Sequence, residues 1–232
     1  PREKQPIVDV AFVLDTTGSM GGLIAGAKKK IWSIANQIVL GTPKPKVRMG
    51  LVGYRDKGDT YVTKVFDLTD NIDEIYEKLM AFNAGGGGDG PENVNQALHD
   101  AINTLSWTDL THREGAVKII YLVGDYPPHN EYTDVPTYQK LAKSAIEKGI
   151  YINTVLCGTN GQARKAWREI AAAAEGRFVA IAQDGGVRDI ATPYDAELAK
   201  QNAALVKTVV VYGSEKEQTA ARKLNSAAYA MG

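Results

Sequence analysis

The chain has 232 residues, 44% of them hydrophobic, and this is enough to bury one large α/β core. Lys and Arg (27) balance Asp and Glu (27), so no net field attracts nucleic acid or an anionic membrane. The single cysteine, Cys157, excludes an internal disulfide and, with three scattered histidines, argues against a Cys/His zinc site. Because no apolar stretch reaches the roughly 18 residues of a membrane helix and no signal peptide is recognisable, we expect a soluble domain without a transmembrane segment.

The first predicted strand, residues 8–14, has six apolar residues out of seven, which favours burial on both faces of a parallel sheet. Polar residues follow it directly, with Asp15, Thr17 and Ser19 at alternate positions. An extended or turning backbone would direct one carboxylate and two hydroxyls to a common point. Hard oxygens of this kind suit Mg²⁺, Mn²⁺ or Ca²⁺. Since open α/β sheets bind their ligands beyond the carboxyl ends of the strands, the sequence predicts a cation site here.

An amphipathic helix and two strands are predicted next. The apolar spacing predicts the helix over 23–38, and the strands over 47–54 and 61–66. We interpret the polar turn between the strands, 55–59, as an ordinary hairpin loop, with an approach to the cation site as the alternative. A short amphipathic helix over 73–82 follows.

Four glycines at 85–88 precede Asp89, Pro91 and Glu92. A glycine run costs backbone entropy, so it is expected where the chain turns tightly or comes close to a ligand. Pro91 suits the first turn of the following helix, whose apolar face runs over 94–105. Asp89 is then either the N-cap of this helix or a ligand beside its N-terminus, and the sequence leaves both open.

A second strongly apolar strand, residues 117–123, also leads to an acid, Asp125. A lone aspartate at a strand end is often a helix cap or a turn residue. Two buried strands that each deliver an aspartate at the carboxyl end, together with the Asp89 loop, are harder to explain as caps or turns alone.

The rest of the chain continues the alternation of helix and strand that is typical of α/β proteins. The predicted elements are a helix over 136–148, a strand over 151–157, a helix over 162–174, a strand over 178–181, a closing helix over 197–206, an extended segment over 209–212 and an alanine-rich helix over 215–229.

Residues 15–19, Asp-Thr-Thr-Gly-Ser, fit the pattern Asp-x-Thr/Ser-x-Ser, and an amphipathic helix, a glycine-rich loop and a strand ending at Asp125 follow in order. In these features the chain resembles von Willebrand factor type A (VWA) domains, in which this motif forms the metal ion-dependent adhesion site (MIDAS). The resemblance covers about residues 5–205 as a VWA domain and leaves 206–232 as a C-terminal extension. It implies an α/β, Rossmann-like fold: an open, mostly parallel sheet with helices on both faces.

The resemblance also implies a set of metal ligands. Thr17 and Ser19 would bind the ion through their hydroxyls, and Asp15 and Asp125 would act directly or through water. The family's glycine loop commonly supplies a threonine, whereas this chain has Asp89 there, with Glu92 as the reserve candidate. A third carboxylate would neutralise more of the cation's charge. Our hypothesis is that the site therefore holds its metal more readily without a partner.

The function that the resemblance implies is a metal-dependent protein-binding or cell-adhesion module and not an enzyme. Bound Mg²⁺, or Ca²⁺ or Mn²⁺, would engage a carboxylate on a protein partner. The resemblance also favours an extracytoplasmic location, where divalent ions are plentiful. Five residues are candidates for an apolar rim around the site, with ordinary loop packing as the alternative: Met20, Tyr126, Pro127, Pro128 and Tyr132.

Other functions are carried by the same sheet architecture. The glycines that follow Asp15 lack the full dinucleotide-binding pattern, and the Asp15 carboxylate would repel a pyrophosphate. A haloacid-dehalogenase-like phosphatase needs a second aspartate where Thr17 stands. His129 is placed for proton chemistry, but we interpret it as a loop histidine. A scaffold with a structural, non-exchanging metal is the remaining alternative.

Overall fold

The computed structural model of the protein describes residues 5–88, 90–109 and 116–181, which lie within Pro1–Val187, the first of two units into which the chain divides. The elements of these residues, in chain order, are β1 (Ile7–Asp15), a 3-10 helix (Gly18–Gly22), α1 (Ile24–Val39), β2 (Lys46–Tyr54), β3 (Thr63–Thr69), α2 (Ile72–Ala81), α3 (Val94–Asn103), β4 (Ala116–Gly124), α4 (Tyr138–Glu147), β5 (Ile150–Cys157), α5 (Gly161–Ala173) and β6 (Phe178–Ile181).

The strands form one sheet in the order β3-β2-β1-β4-β5-β6. β1 is central and pairs in parallel with both β2 and β4, which explains why its sequence is apolar on both faces. β5 and β6 continue the parallel pairing, whereas β3 is antiparallel to β2 at the edge. The predicted α/β fold with a mostly parallel sheet is confirmed.

Helices cover both faces of the sheet, and a separate apolar core lies under each set. One core packs α1 and α2 against Phe12 and Leu14 of β1. The other packs α3, α4 and α5 against Ala11 and Val13, so successive residues of β1 point to opposite cores. Asparagine side chains fix where three helices begin: Asn71 caps α2, Asn93 caps α3 and Asn160 caps α5.

Three details differ from the sequence predictions. The third strand runs over Thr63–Thr69, later than the predicted 61–66. Pro91 is not in the first turn of α3, because the chain at Glu92 pairs with Pro128 as an isolated bridge and the helix begins at Val94. The predicted segments at 197–206, 209–212 and 215–229 lie outside the described residues, and the domain boundaries 5–205 and 206–232 remain predictions.

Within the described parts of the chain, no helix combines the length and the apolar character needed to cross a membrane.

Candidate metal centre

Asp15 ends β1 and is fully buried. Its Oδ1 accepts hydrogen bonds from the backbone N–H of Thr17 (2.9 Å) and from Thr17 Oγ1 (2.6 Å). Thr17 Oγ1 lies 3.1 Å from Ser19 Oγ, and Ser19 Oγ donates to Asp125 Oδ1 at 3.0 Å. The structure therefore joins Asp15, Thr17, Ser19 and Asp125 in one chain of hydrogen bonds.

The pairing of β1 with β4 explains why Asp125 lies close to Ser19, although the two residues are distant in sequence. β1 and β4 are parallel neighbours, with Leu14 opposite Val123, so both strands deliver their next residues to the same edge of the sheet. Asp125 follows β4 there and is 7% exposed. Ser19, in the 3-10 helix after β1, is exposed, so the site opens to solvent on the Ser19 side.

The glycine loop is fixed to the β1 loop by backbone hydrogen bonds. The N–H of Gly18 donates to Gly86 O (2.9 Å), and the N–H of Gly85 donates to Thr16 O (3.0 Å). The two loops approach so closely that a β-carbon on Gly18 would lie 2.8 Å from Gly86 O. Gly86 itself has φ +75°, a conformation that favours glycine. The glycines therefore allow the backbones of the β1 loop and the glycine loop to pack closely together.

Glu92 is brought to the site by this loop. A β-carbon on Gly87 would lie 3.0 Å from Glu92 Oε1 and 3.2 Å from Thr17 Cβ, so Glu92 and Thr17 meet over this glycine. The Glu92 side chain is 1% exposed, and its Oε2 has no hydrogen-bond partner among the described residues. The same is true of Asp15 Oδ2. Two buried carboxylate oxygens are thus left without a donor.

Asp89 lies outside the described residues, so its role as a ligand remains a prediction. The N-cap of α3 is Asn93, whose Oδ1 accepts from the N–H of Gln96 at 3.2 Å. The alternative that Asp89 caps this helix is therefore wrong. The reserve candidate, Glu92, is the residue of the glycine-loop segment that the structure places beside Thr17.

The carboxyl groups of the site have raised pKa values. Burial, followed by the charge of Asp125, raises the pKa of Asp15 from 3.8 to about 7. Burial, followed by the charge of Asp15, raises the pKa of Glu92 from 4.5 to about 9. Burial also raises the pKa of Asp125, although its hydrogen bond from Ser19 opposes the shift. The three acids are therefore costly to ionise together without a compensating positive charge.

The turn 55–59 lies in the loop between the antiparallel strands β2 and β3, as a hairpin loop does, and two of its acids also contact the loops of the candidate site. The Asp59 carboxylate accepts the N–H of Gly87 at 2.9 and 3.1 Å. Asp56 is buried, accepts from Tyr132 Oη at 3.0 Å and lies 3.3 Å from His129 Nε2. The turn thus holds both the glycine loop and the loop after β4, and no local pattern in the sequence indicated these contacts.

His129 is 4% exposed and is stacked on Tyr132, with ring centroids 4.2 Å apart. Its Nδ1 contacts Glu131, and its backbone N–H donates to Glu92 O at 3.1 Å. These contacts pack His129 into the loop after β4 and hold the Glu92 backbone beside it. They support its interpretation as a loop histidine.

A cleft of about 650 Å³ opens beside the chain of hydrogen bonds. It lies between the β1 and β4 ends and the loop after β5, and it is lined by Ser19, Gly22, Leu23, Asp125, Tyr126, Cys157, Gly158, Thr159 and Asn160. Because the connections diverge on either side of β1 and β4, this is the topological switch point, where open α/β sheets bind ligands. Two of the proposed rim residues, Met20 and Pro128, are buried, whereas Tyr126, Pro127 and Tyr132 are half-buried.

Comparison with known protein families gives a match to the von Willebrand factor type A domain over residues 9–193. The chain is also 40% identical over 97 residues to von Willebrand factor A domain-containing protein 7 of Rattus norvegicus, which covers 42% of this chain and 10% of that protein. It spans between 10% and 19% of the length of the curated relatives that it matches, which also include a RING finger protein and a protein kinase.

Comparison with solved structures finds similar folds. The crystal structure of the SpRpn10 VWA domain gives a TM-score of 0.56 at 17% identity, covering 77% of this chain and 89% of that chain. Proximal thread matrix protein 1 from the mussel byssus, solved with a zinc-occupied MIDAS motif, gives a TM-score of 0.59 at 17% identity, covering 76% of this chain and 42% of that chain. At this level of identity the similarity concerns the fold.

Proposed function

The chain belongs to the von Willebrand factor type A family, and on this basis we propose that it is a divalent-metal-dependent protein-binding domain. The cation is held by the residues around Asp15 and Asp125 and engages a carboxylate of a partner protein. The observation that carries this proposal is Glu92 Oε2, a buried carboxylate oxygen with no hydrogen-bond partner among the described residues, in the same site as Asp15 and the Thr17 hydroxyl. Buried polar atoms are rarely left unsatisfied, and an ion at this place satisfies this oxygen.

The donor set fits a hard divalent cation. Among the described residues no group of three His, Cys, Asp or Glu side chains is arranged to hold a metal, so the hydroxyls of Thr17 and Ser19 complete the proposed set. Carboxylates and hydroxyls suit Mg²⁺, Ca²⁺ and Mn²⁺. The zinc-occupied MIDAS of the mussel protein supports a divalent ion in this fold. When bound, the ion supplies a positive charge that attracts a carboxylate of the partner.

The residues around the proposed ion contribute different kinds of oxygen ligand. Thr17 and Ser19 contribute hydroxyl oxygens and Asp15 and Asp125 contribute carboxylates, directly or through water. Glu92 lies against Thr17 and is the candidate for a third carboxylate, although in this conformation the described acids do not form a three-acid metal cluster. Asp89 is the competing candidate for that role. With either acid present, the site depends less on a partner for charge compensation.

An open coordination position separates an adhesion module from a scaffold with a fixed metal. The exposure of Ser19 and the adjacent cleft support the binding of a partner at the ion itself. Half-buried Tyr126 lines the same cleft and offers a partner an aromatic contact. No catalytic role is proposed, since His129 is enclosed by Asp56, Glu131 and Tyr132.

The test combines metal titration with affinity capture by the chain. We expect wild type to bind Mg²⁺ in isothermal titration and to capture proteins that EDTA releases. Asp15→Ala should lose both properties while its circular dichroism is unchanged. Asp73→Ala, which removes an exposed aspartate from the first turn of α2, is the matched control and should keep both. Partners that survive EDTA and Asp15→Ala would favour a scaffold with a fixed metal and contradict the proposal.

A further inference from the structure

Tyr54 is the residue paired with Asp15 in the parallel ladder of β1 and β2. Both side chains are fully buried. Tyr54 belongs to the core under α3, α4 and α5, together with Val13, and Asp15 follows Val13 by two residues on the same face. The phenol and the carboxylate therefore stand side by side on neighbouring strands at the base of the candidate metal centre.

The tyrosine side chain reaches across β1 as far as β4. A β-carbon on Gly124 would overlap Tyr54 Oη, and it would also lie 3.1 Å from Asp15 Oδ2. The Tyr54 hydroxyl and the free oxygen of Asp15 thus share the space above this one glycine. Any other residue before Asp125 would occupy that space.

The two atoms are complementary in hydrogen bonding. In this conformation neither Tyr54 Oη nor Asp15 Oδ2 makes a hydrogen bond of normal geometry with any described residue. A tyrosine hydroxyl is protonated near neutral pH, so Tyr54 has a proton to donate. The site therefore places a neutral O–H donor next to a carboxylate oxygen whose other oxygen, Oδ1, is already held by Thr17.

We propose that Tyr54 is a positioning residue of the metal centre: its hydroxyl donates a hydrogen bond to Asp15 Oδ2 in the metal-loaded protein. With Oδ1 held by Thr17 and Oδ2 held by Tyr54, the plane of the Asp15 carboxylate is fixed. Partners of this kind orient metal ligands, and removing one typically lowers metal affinity about 10- to 100-fold. The inference rests on the proposed metal-dependent function. It adds a requirement for the Tyr54 hydroxyl and for glycine at 124.

The test compares Tyr54→Phe with Tyr121→Phe. The control removes a hydroxyl from a half-buried tyrosine of β4, which stacks on Phe12 in the opposite core. In isothermal titration with Mg²⁺, we expect Tyr54→Phe to bind about tenfold more weakly than wild type. We expect Tyr121→Phe to bind like wild type. Mg²⁺ should also produce a near-ultraviolet tyrosine difference spectrum in wild type and in Tyr121→Phe, and this signal should be smaller in Tyr54→Phe.

The possible outcomes separate this inference from the proposed function. If Tyr54→Phe binds Mg²⁺ like wild type while Asp15→Ala does not bind it, the positioning role is overturned and the proposed function stands. If wild type does not bind Mg²⁺, the proposed function fails and this inference fails with it. A loss of stability in Tyr54→Phe without loss of Mg²⁺ affinity would show a role in packing alone and would also overturn the inference.

A second measurement needs no metal. Gly124→Ala should reduce the free energy of unfolding in urea with EDTA, because the added methyl group overlaps the Tyr54 hydroxyl. In the background of Tyr54→Phe the same substitution should cost less, since the overlapping oxygen is gone. An equal cost in both backgrounds would contradict the placement of the hydroxyl above Gly124.

Discussion

Glu92 and Asp15 carry protons that a metal ion would displace. The pKa of Glu92 is raised to about 9 and that of Asp15 to about 7, in both cases chiefly by burial. Near neutral pH the metal-free protein therefore keeps Glu92 protonated and Asp15 only partly ionised. Metal ligands must be deprotonated, so metal binding at such a site releases protons. The number of protons released reports which acids are ligands.

This gives a test of whether Glu92 or Asp89 completes the ligand set. We expect wild type to release about one more proton per Mg²⁺ than Glu92→Gln at about pH 7.4, because the glutamine has no proton to give up. Isothermal titration in two buffers of different ionisation enthalpy measures this difference. Mg²⁺ affinity should also fall in Glu92→Gln.

The matched control is Glu74→Gln, which neutralises an exposed acid in the first turn of α2. It should release protons and bind Mg²⁺ like wild type. If Glu92→Gln does the same, Glu92 is not a ligand, and Asp89 takes its place in the proposed set.

At the scale of elements, the glycine loop packs between the β1 loop and the turn 55–59. Its backbone is bonded to the β1 loop through Gly18 and Thr16, and its other side is bound by the Asp59 carboxylate. Gly86 is enclosed by both contacts and has φ +75°. A side chain at this position is therefore excluded by conformation and by space.

The prediction is that Gly86→Ala destabilises the domain by about 1–3 kcal/mol, since alanine is strained at this φ and its methyl group would overlap Asp59. Mg²⁺ affinity should fall as well, because the loop carries Glu92 towards Thr17. Gly88→Ala is the control: its added β-carbon meets no atom within 4 Å, and we expect a change below about 0.5 kcal/mol. Urea denaturation measures both, and equal effects of the two substitutions would contradict this role of Gly86.

The elements themselves were largely predictable from the sequence, because buried parallel strands are apolar on both faces. The runs 8–14 and 117–123 identified β1 and β4, and the polar residues after them indicated where ligands would lie. The supporting contacts were not predictable. Asp59 binds Gly87 across 28 residues of sequence, and such a contact has no local signal. The start of α3 was misplaced because the pairing of Glu92 with Pro128 keeps Pro91 out of the helix.

At the scale of the whole molecule, the strand order brings together the acids of the candidate site. The sequence indicated two acids at two strand ends, but their meeting depends on β1 and β4 being neighbours. Strand order is set by packing between distant parts of the chain, so it does not follow from periodicity; the family resemblance supplied the candidate site residues but no strand order. The order also places the cleft beside Ser19 and Asp125.

The proposed metal centre would make the stability of the domain depend on metal and on pH together. Because burial raises the pKa of Asp15 from 3.8 to about 7, its contribution to folding is greatest below about pH 4 and is lost as pH rises through 7. Glu92 loses its contribution at higher pH, near 9. An ion that binds the folded state reverses this loss, and it competes with protons for the same oxygens.

We therefore expect Mg²⁺ to raise the thermal midpoint more at about pH 8 than at about pH 6, because fewer protons compete with the ion. At 100 times its dissociation constant the ion adds about 2.7 kcal/mol, or on the order of 5–10 °C for a domain of this size. Differential scanning fluorimetry with Mg²⁺ or EDTA measures the shift.

Asp15→Asn should melt higher than wild type in EDTA at about pH 8, since its amide carries no buried charge, and it should not respond to Mg²⁺. A shift equal at both pH values, or an Asp15→Asn protein that melts lower in EDTA, would contradict the coupling of the buried carboxyls to the metal.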